Sequence, residues 1–348
     1  MIKVAVIGAG WWATENHLPT LRARADVDIR ALCGKGRDDL RVVGARFGIE
    51  ELVEDYHDLP WGELDAVVVA SPHTYHFEHA AAALNHGLHV LCEKPMTLNA
   101  RDAFSLIRLA RERDRVLMVP HGWQFLEGMA TAQRWLTDGR IGQVQHVACW
   151  MASPSRGLFS GLPEPRRGTV RGPDADTYAG PQAGYAYGQL SHLFSLVFWL
   201  TGLIPTEVTA RTTDGPARSD VYDAFVIRCR GGALISASGA AAVPFGRRHH
   251  LDLRLYGSEG AVIVDLERDR IELVREDRVD LAIPLDAGAL SYPAAAPIHA
   301  FCDRILGRIQ ENRGDPYPSA IGVAVIEAGL RSSGSQRPES VESIPLTT

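Results

Sequence analysis

Cysteine is scarce in this chain of 348 residues: five, at positions 33, 92, 149, 229 and 302, an odd number without a CxxC pair. Such scatter excludes a disulfide framework and a zinc cluster, and it fits a reducing cytoplasm. Long apolar runs are also missing. None approaches the ~20 residues that cross a bilayer, and the apolar run Ile2–Ile7 follows Met1 so closely that no secretory signal is expected. Positive charge is not in excess. With 36 Lys and Arg against 42 Asp and Glu, the net charge of -6 leaves no electrostatic footprint for nucleic acid. Metal-ligand signatures are absent as well: His76, His79 and His86 fall at helical spacings, but neither an HExxH nor a carboxylate-backed pair accompanies them. They read as helix-surface or capping residues, with His76 kept as a candidate crevice residue. What is present, 46 % apolar and 22 % charged residues, describes a soluble globular chain long enough for two domains.

The run Ile2–Ile7 has the near-continuous apolar character of a central strand covered on both faces. It leads into Gly8-Ala9-Gly10-Trp11-Trp12-Ala13, a GxGxxA turn between a strand and a helical pattern. In that context the motif is a dinucleotide fingerprint: a tight turn, close approach of a pyrophosphate, and a helix N-terminus facing it. Trp11 and Trp12 either lie against the cofactor or simply pack. A second strand, Val27 to Cys33, ends at Gly34-Lys35-Gly36-Arg37, where an NAD-binding chain places an acid for the ribose. No acid stands there, and Lys35 and Arg37 suit a 2′-phosphate, so the cofactor reads as NAD or NADP with NADP slightly favoured.

Strand and helix patterns then alternate to residue 120, the rhythm of a doubly wound α/β fold. Ser71, Pro72 and His73 close the fourth strand; His121, Gly122 and Trp123 follow the sixth. Between them, the apolar stretch His89 to Cys92 runs directly into Glu93-Lys94-Pro95. Strand ends in an open parallel sheet face the ligand crevice, and proline keeps the preceding residue out of the α region. Lys94 is therefore a candidate functional amine held on a corner; the bland alternative is a surface lysine before a turn.

These residues together resemble the Gfo/Idh/MocA oxidoreductase family: GxGxxA on the first strand, Ala70-Ser71-Pro72 followed by His76, and Gly87 to Pro95. The resemblance implies an N-terminal Rossmann domain, here residues 1–122. It implies a C-terminal α/β domain, residues 123–348, with a large open and mostly antiparallel sheet. It also implies nicotinamide-dependent chemistry on a sugar, aminosugar or cyclitol, a catalytic lysine at Lys94, and a Lys-Pro bond that is often cis. Glu93, Ser71, Pro72 and His76 are expected around the cofactor, with Gly8, Gly10 and Gly34.

In the second half, residues 152–183 hold five prolines, many glycines and four arginines without a hydrophobic period, which reads as a lid, a subunit-contact arm or a plain insert. Gly184 to His192 then enters an apolar helix. His192 matches the family histidine, but four residues earlier, where the family usually has an aspartate, stands Gly188. Gln189 takes over part of the hydrogen bonding without accepting a proton as a carboxylate can. Trp123, Tyr185 and Tyr187 are candidates for stacking on or donating to a sugar, with aromatic packing as the alternative. Six strand patterns from 207 to 274 read as an antiparallel sheet whose open face suits a homodimer or homotetramer. Two helices, 298–310 and 319–329, follow, with a surface turn from Arg331.

The leading expectation is a dehydrogenase or reductase acting on CH–OH groups, Lys94 exchanging the hydroxyl proton and His192 holding a neighbouring hydroxyl. The rivals are a redox-neutral epimerase, lyase or glycosidase working through a transient keto-sugar, and a non-catalytic cofactor-sensing protein.

Overall fold

The computed structural model describes residues 1–159, 182–244 and 246–342. Six short strands form the first sheet: β1 (Ile2–Ile7), β2 (Val27–Cys33), β3 (Glu51–Val53), β4 (Ala66–Val69), β5 (His89–Cys92) and β6 (Leu117–Met118). They pair in parallel in the order β3-β2-β1-β4-β5-β6, so the chain reverses direction of growth beside β1. That is the Rossmann arrangement, and its ligand crevice lies outside the carboxyl ends of β1 and β4. β1 and β4 are buried along almost their whole length because α1 (Leu18–Arg22), α2 (Arg37–Phe47), α3 (His76–Asn85) and α4 (Ala100–Glu112) cover the sheet on both sides.

One covering helix comes from far along the chain. In α7 (Ala296–Ile305, taking α5 as Glu127–Thr137 and α6 as Ser191–Thr201), Ile298, Phe301 and Cys302 join the cluster of Val4, Val6 and Leu18. Arg24, packed beneath it, donates to Asp303 at 2.6 Å and to Asp26 at 2.9 Å.

The second sheet is mostly antiparallel. It comprises β7 (Val144–Ala152), β8 (Pro205–Asp214), β9 (Asp220–Cys229), β10 (Leu234–Ala240), β11 (His250–Gly257), β12 (Gly260–Asp265), β13 (Arg270–Arg275), β14 (Leu281–Ala282) and β15 (Glu339–Ser340). Its order is β14-β13-β12-β11-β7-β10-β9-β8-β15, with β7 and β10 the parallel pair. Alternation places Val147, Cys149, Phe225, Ile227, Leu253 and Leu255 on a buried face, under α6 and α8 (Pro316–Ser335). The other face stays open and carries Trp150, Tyr222, Val226, Leu234 and Tyr256, all exposed.

Two expectations need correction. The Ser/Gly-rich segment from Arg331 is the last turn of α8, which runs to Ser335. Tertiary bonds override the composition there: the Ser332 hydroxyl accepts from Ala210 N (3.1 Å) and Ser333 accepts from Thr212 N (3.0 Å), both on β8. The helix expected over 298–310 ends at Ile305. The proline-rich stretch between 152 and 183 lies outside the described residues except for its ends. No helix among the described residues is long and apolar enough to cross a membrane.

Candidate active site

Gly8 sits at φ +113°, and a Cβ there would meet Ala70 O at 2.3 Å; only glycine allows β1 to turn so closely against the end of β4. At Gly10 a Cβ would meet nothing within 4 Å, so the turn leaves open space where a pyrophosphate needs backbone approach. The residues present thus fit a dinucleotide. The next five residues, Ala13–His17, form a π turn before α1. In that wider turn, residues five apart share a face, which brings Trp12 and His17 to the same partner. Trp12 Nε1 donates to Glu93 Oε1 at 2.8 Å, and His17 Nε2 lies 2.8 Å from the same oxygen. Lys94 N donates to Glu93 Oε2 at 3.0 Å. Glu93 is 7 % exposed. Burial pushes its carboxyl upward, but the His17 hydrogen bond, the charges of His17 and Lys94 and the Lys94 amide outweigh it and hold it at about 2. Glu93 is therefore a fixed anion that ties the dinucleotide turn to the lysine segment.

Lys94, followed by a cis bond to Pro95, donates from Nζ to the Gly188 carbonyl at 2.8 Å. Burial lowers its pKa, and Glu93 opposes that shift. Gly188 lies in a second π turn, Ala186–Leu190, that opens α6. Its Cβ direction points at the Phe159 ring, 3.3 Å from Cζ, while its carbonyl faces Lys94.

A group of rings surrounds this corner. His192 Nδ1 lies 3.4 Å from His121 Nδ1, and the His192 ring packs edge-on against Trp123 and Tyr292. Trp123 also meets His249 edge-on. The Tyr292 hydroxyl donates to Pro120 O (2.9 Å) and accepts from Gly122 N (3.1 Å), pinning the turn after β6. Burial first, and then the Lys94 charge, lower all three imidazoles: His121 to about 3, His249 to about 4, His192 well below its ordinary value. At neutral pH they are uncharged donors and acceptors around one amine.

The other candidates separate. Tyr185 and Tyr187 are buried with their hydroxyls spent on the Met151 and Leu98 carbonyls, so neither stacks on a ligand; packing is their part. Gln189 is half-buried beside Gly188. His76 is fully buried, Nδ1 facing Pro95 O and Nε2 facing Ser71 O, each at 2.8 Å. It braces the lysine loop against the end of β4 and offers no nitrogen to a cofactor. Ser71 Oγ is paired with His79 Nδ1 at 2.9 Å, and Pro72 beside it is exposed. Trp11 is half-buried against Trp12.

Around Gly34 the charges are mixed. Lys35 Nζ stands 5.6 Å over the Tyr75 ring and Arg37 is exposed, but Glu54, just beyond β3, accepts from Gly36 N at 3.2 Å. An acid from the neighbouring strand thus stands beside this turn together with the exposed Lys35 and Arg37, a mixed environment that suits either NAD or NADP. Sequence reasoning also missed His17, His121, His249 and Tyr292. Of these, only His121 had a signal, its place after β6 on the crevice side. Among the described residues no cluster of three or more metal-ligating side chains occurs.

A glycine turn open to a pyrophosphate, hydrogen-bonded through Trp12 and Glu93 to the backbone amide of a lysine whose amine lies at a domain seam, describes the class of dinucleotide-dependent oxidoreductases. Comparison with known proteins makes the assignment narrower. Residues 2–121 match the oxidoreductase family with an NAD-binding Rossmann fold, and residues 129–263 match the GFO/IDH/MocA C-terminal domain. The chain belongs to the Gfo/Idh/MocA oxidoreductase family, whose cofactor is NAD or NADP. It is similar to levoglucosan dehydrogenase of Pseudarthrobacter phenanthrenivorans, 24 % identical over 77 % of this chain and 74 % of that one. It is similar also to the NADP(+)-dependent scyllo-inositol 2-dehydrogenase of Bacillus subtilis, 25 % identical over 84 % and 86 %. Among solved structures, levoglucosan dehydrogenase with NADH and levoglucosan has the same fold, with a TM-score of 0.76, 17 % identity and coverage of 98 % and 100 %.

Proposed function

We propose that this protein moves a hydride between a nicotinamide dinucleotide and a carbinol carbon of a sugar, aminosugar or cyclitol, with Lys94 exchanging the hydroxyl proton. The observation that carries this reading is the Lys94 amine itself, half-buried, held by Gly188 O and lowered in pKa by its surroundings. When bound, the nicotinamide supplies the hydride acceptor or donor. Lys94 spends one N–H on the Gly188 carbonyl, which aims the nitrogen; in its neutral form the lone pair takes the substrate hydroxyl proton, and in its charged form a proton is returned. Glu93 keeps the amine's segment in register with the glycine turn and, as a permanent anion already committed to three donors, is no base. His192 and Trp123 bound the space beside the amine: Trp123 Nε1 is buried without a partner among the described residues, a donor suited to a substrate hydroxyl. The names of the two relatives support a cyclic polyol as substrate class.

Five buried, unpaired cysteines support a reducing cytoplasm. The open apolar face of the second sheet supports a homodimer, or a dimer of dimers, joined there.

The test is to incubate the enzyme with NAD or NADP and a panel of sugars, aminosugars and inositols, following reduced nicotinamide. Stoichiometric reduction supports the reading. Substrate turnover with no net change in nicotinamide would replace it with the redox-neutral cycle, and binding without turnover with the sensor.

A further inference from the structure

His121 and His192 come from opposite sides of the domain seam, and their Nδ1 atoms face each other at 3.4 Å. The other nitrogen of His121, Nε2, lies 3.1 Å from the hydroxyl of Ser319 on α8. His121 and Ser319 are 2 % and 3 % exposed, His192 7 %. Two nitrogens that face one another cannot both carry protons, nor can both present lone pairs, so one ring donates and the other accepts. With both imidazoles uncharged, the proton on one ring decides the tautomer of the other. The contact is reinforced one turn along α6, where Gln124 Nε2 donates to Ser195 Oγ at 3.0 Å. The segment 121–124 is thus joined to α6 at residues three apart, both on the face of α6 turned toward that segment. Among the described residues His192 hydrogen-bonds through Nδ1, which leaves Nε2 for a ligand.

We infer that His121 is a positioning residue for His192, fixing its ring plane and coupling the His192 tautomer to its own, with Ser319 holding His121 in turn. A carboxylate is the usual device for holding a histidine near a reacting group, and here position 188 has none; its side-chain direction points at the Phe159 ring. The Ser319–His121–His192 chain does that work with neutral groups. It has one property a carboxylate lacks: it accommodates either tautomer of His192, so that Nε2 meets a ligand as an acceptor or as a donor according to how the three hydrogen bonds point. A carboxylate accepts only, and would force Nδ1–H and an accepting Nε2. The alcohol and ketone forms of one substrate need opposite partners, and the neutral chain serves both.

This inference rests on the site proposed above, and its test is separable from that one. His121→Phe removes both hydrogen bonds at similar ring size, and His121→Asn restores an amide near the Nδ1 position. The expected result for His121→Phe is a fall in kcat of about a hundredfold, within the range of a lost acid–base contribution, with the affinity for NAD(H) unchanged. His121→Asn should recover at least about tenfold of that loss, since an amide donates or accepts as His192 requires. Nitrogen NMR of imidazole-labelled enzyme should show one dominant His192 tautomer in the native protein, redistributed in His121→Phe. If His121→Phe fails to fold, Ser319→Ala carries the test, with reduced kcat, unchanged KM and the same tautomer redistribution. Native kcat in His121→Phe or Ser319→Ala, or an unaltered His192 tautomer, overturns the inference. Loss in Lys94→Ala together with full activity in both of these variants rejects this inference alone, whereas full activity in Lys94→Ala rejects the reading beneath it.

Discussion

Replacing Glu93 by Gln removes one charge while preserving shape, and its cost can be worked in two ways. The carboxyl lies at about 2 in the folded chain against an ordinary 4.5. At about 1.4 kcal/mol per pH unit, that difference contributes about 3 kcal/mol of stability at neutral pH. The hydrogen bonds give a similar figure. Gln keeps an acceptor for Trp12 and His17, but its NH2 then opposes the Lys94 N–H that now donates at 3.0 Å. Losing one bond to a charged acceptor and weakening two others costs about 2–4 kcal/mol. The sign of the pH dependence follows from the lowered value: the stabilisation is fully present above 4.5 and is lost as pH falls toward 2. Urea unfolding of the native protein and Glu93→Gln should therefore differ by about 3 kcal/mol at neutral pH, and by distinctly less near pH 3. A gap below about 1 kcal/mol, or one that stays constant on acidification, would refute the view that Glu93 is the fixed anion tying the two loops.

The remaining predictions concern other buried groups. Gly188→Asp should lower kcat rather than raise it, because the new carboxylate points at Phe159, 3.3 Å from the Cβ position, and not at Lys94; a gain in kcat would show that the family aspartate fits here after all. Asp220 and Asp223 are a buried carboxyl pair, 2 % and 5 % exposed, with both oxygens of Asp223 unpartnered among the described residues. Burial raises both, and Asp220 raises Asp223 further, so the folded chain holds a proton that the unfolded chain releases, and stability falls as pH rises above 3.8. Asp223→Asn should flatten that fall and unfold at higher urea than the native protein at neutral pH, by about 1–3 kcal/mol; a less stable variant would contradict it.

The parts of this molecule that a reader of the sequence can see are those whose physics is local. Ile2–Ile7 and the glycine turn announce themselves because strand, turn and helix are consecutive, and Glu93-Lys94-Pro95 stands at a strand end that an alternating α/β pattern places in the crevice. The ring cluster around His192 was hidden because His121, His249 and Tyr292 come from separated segments, and no periodicity links residues that meet only through tertiary packing. Glu54 was hidden for a related reason: the acid beside Gly36 belongs to the end of a different strand from the one that carries the motif. Tyr185 and Tyr187 misled by composition, since aromatic hydroxyls suit a sugar and a buried carbonyl equally well. At Arg331 the error was one of weighting, where serine and glycine content outweighed the unseen bonds from Ser332 and Ser333 to β8.

Lys94→Ala tests the account at its centre. Cofactor affinity, measured by titrating the fluorescence of bound reduced nicotinamide, should stay within about threefold of native, while kcat on the best substrate falls by about a hundredfold or more, the scale of a missing acid–base group. Turnover close to native in that variant, with cofactor bound, would contradict the account.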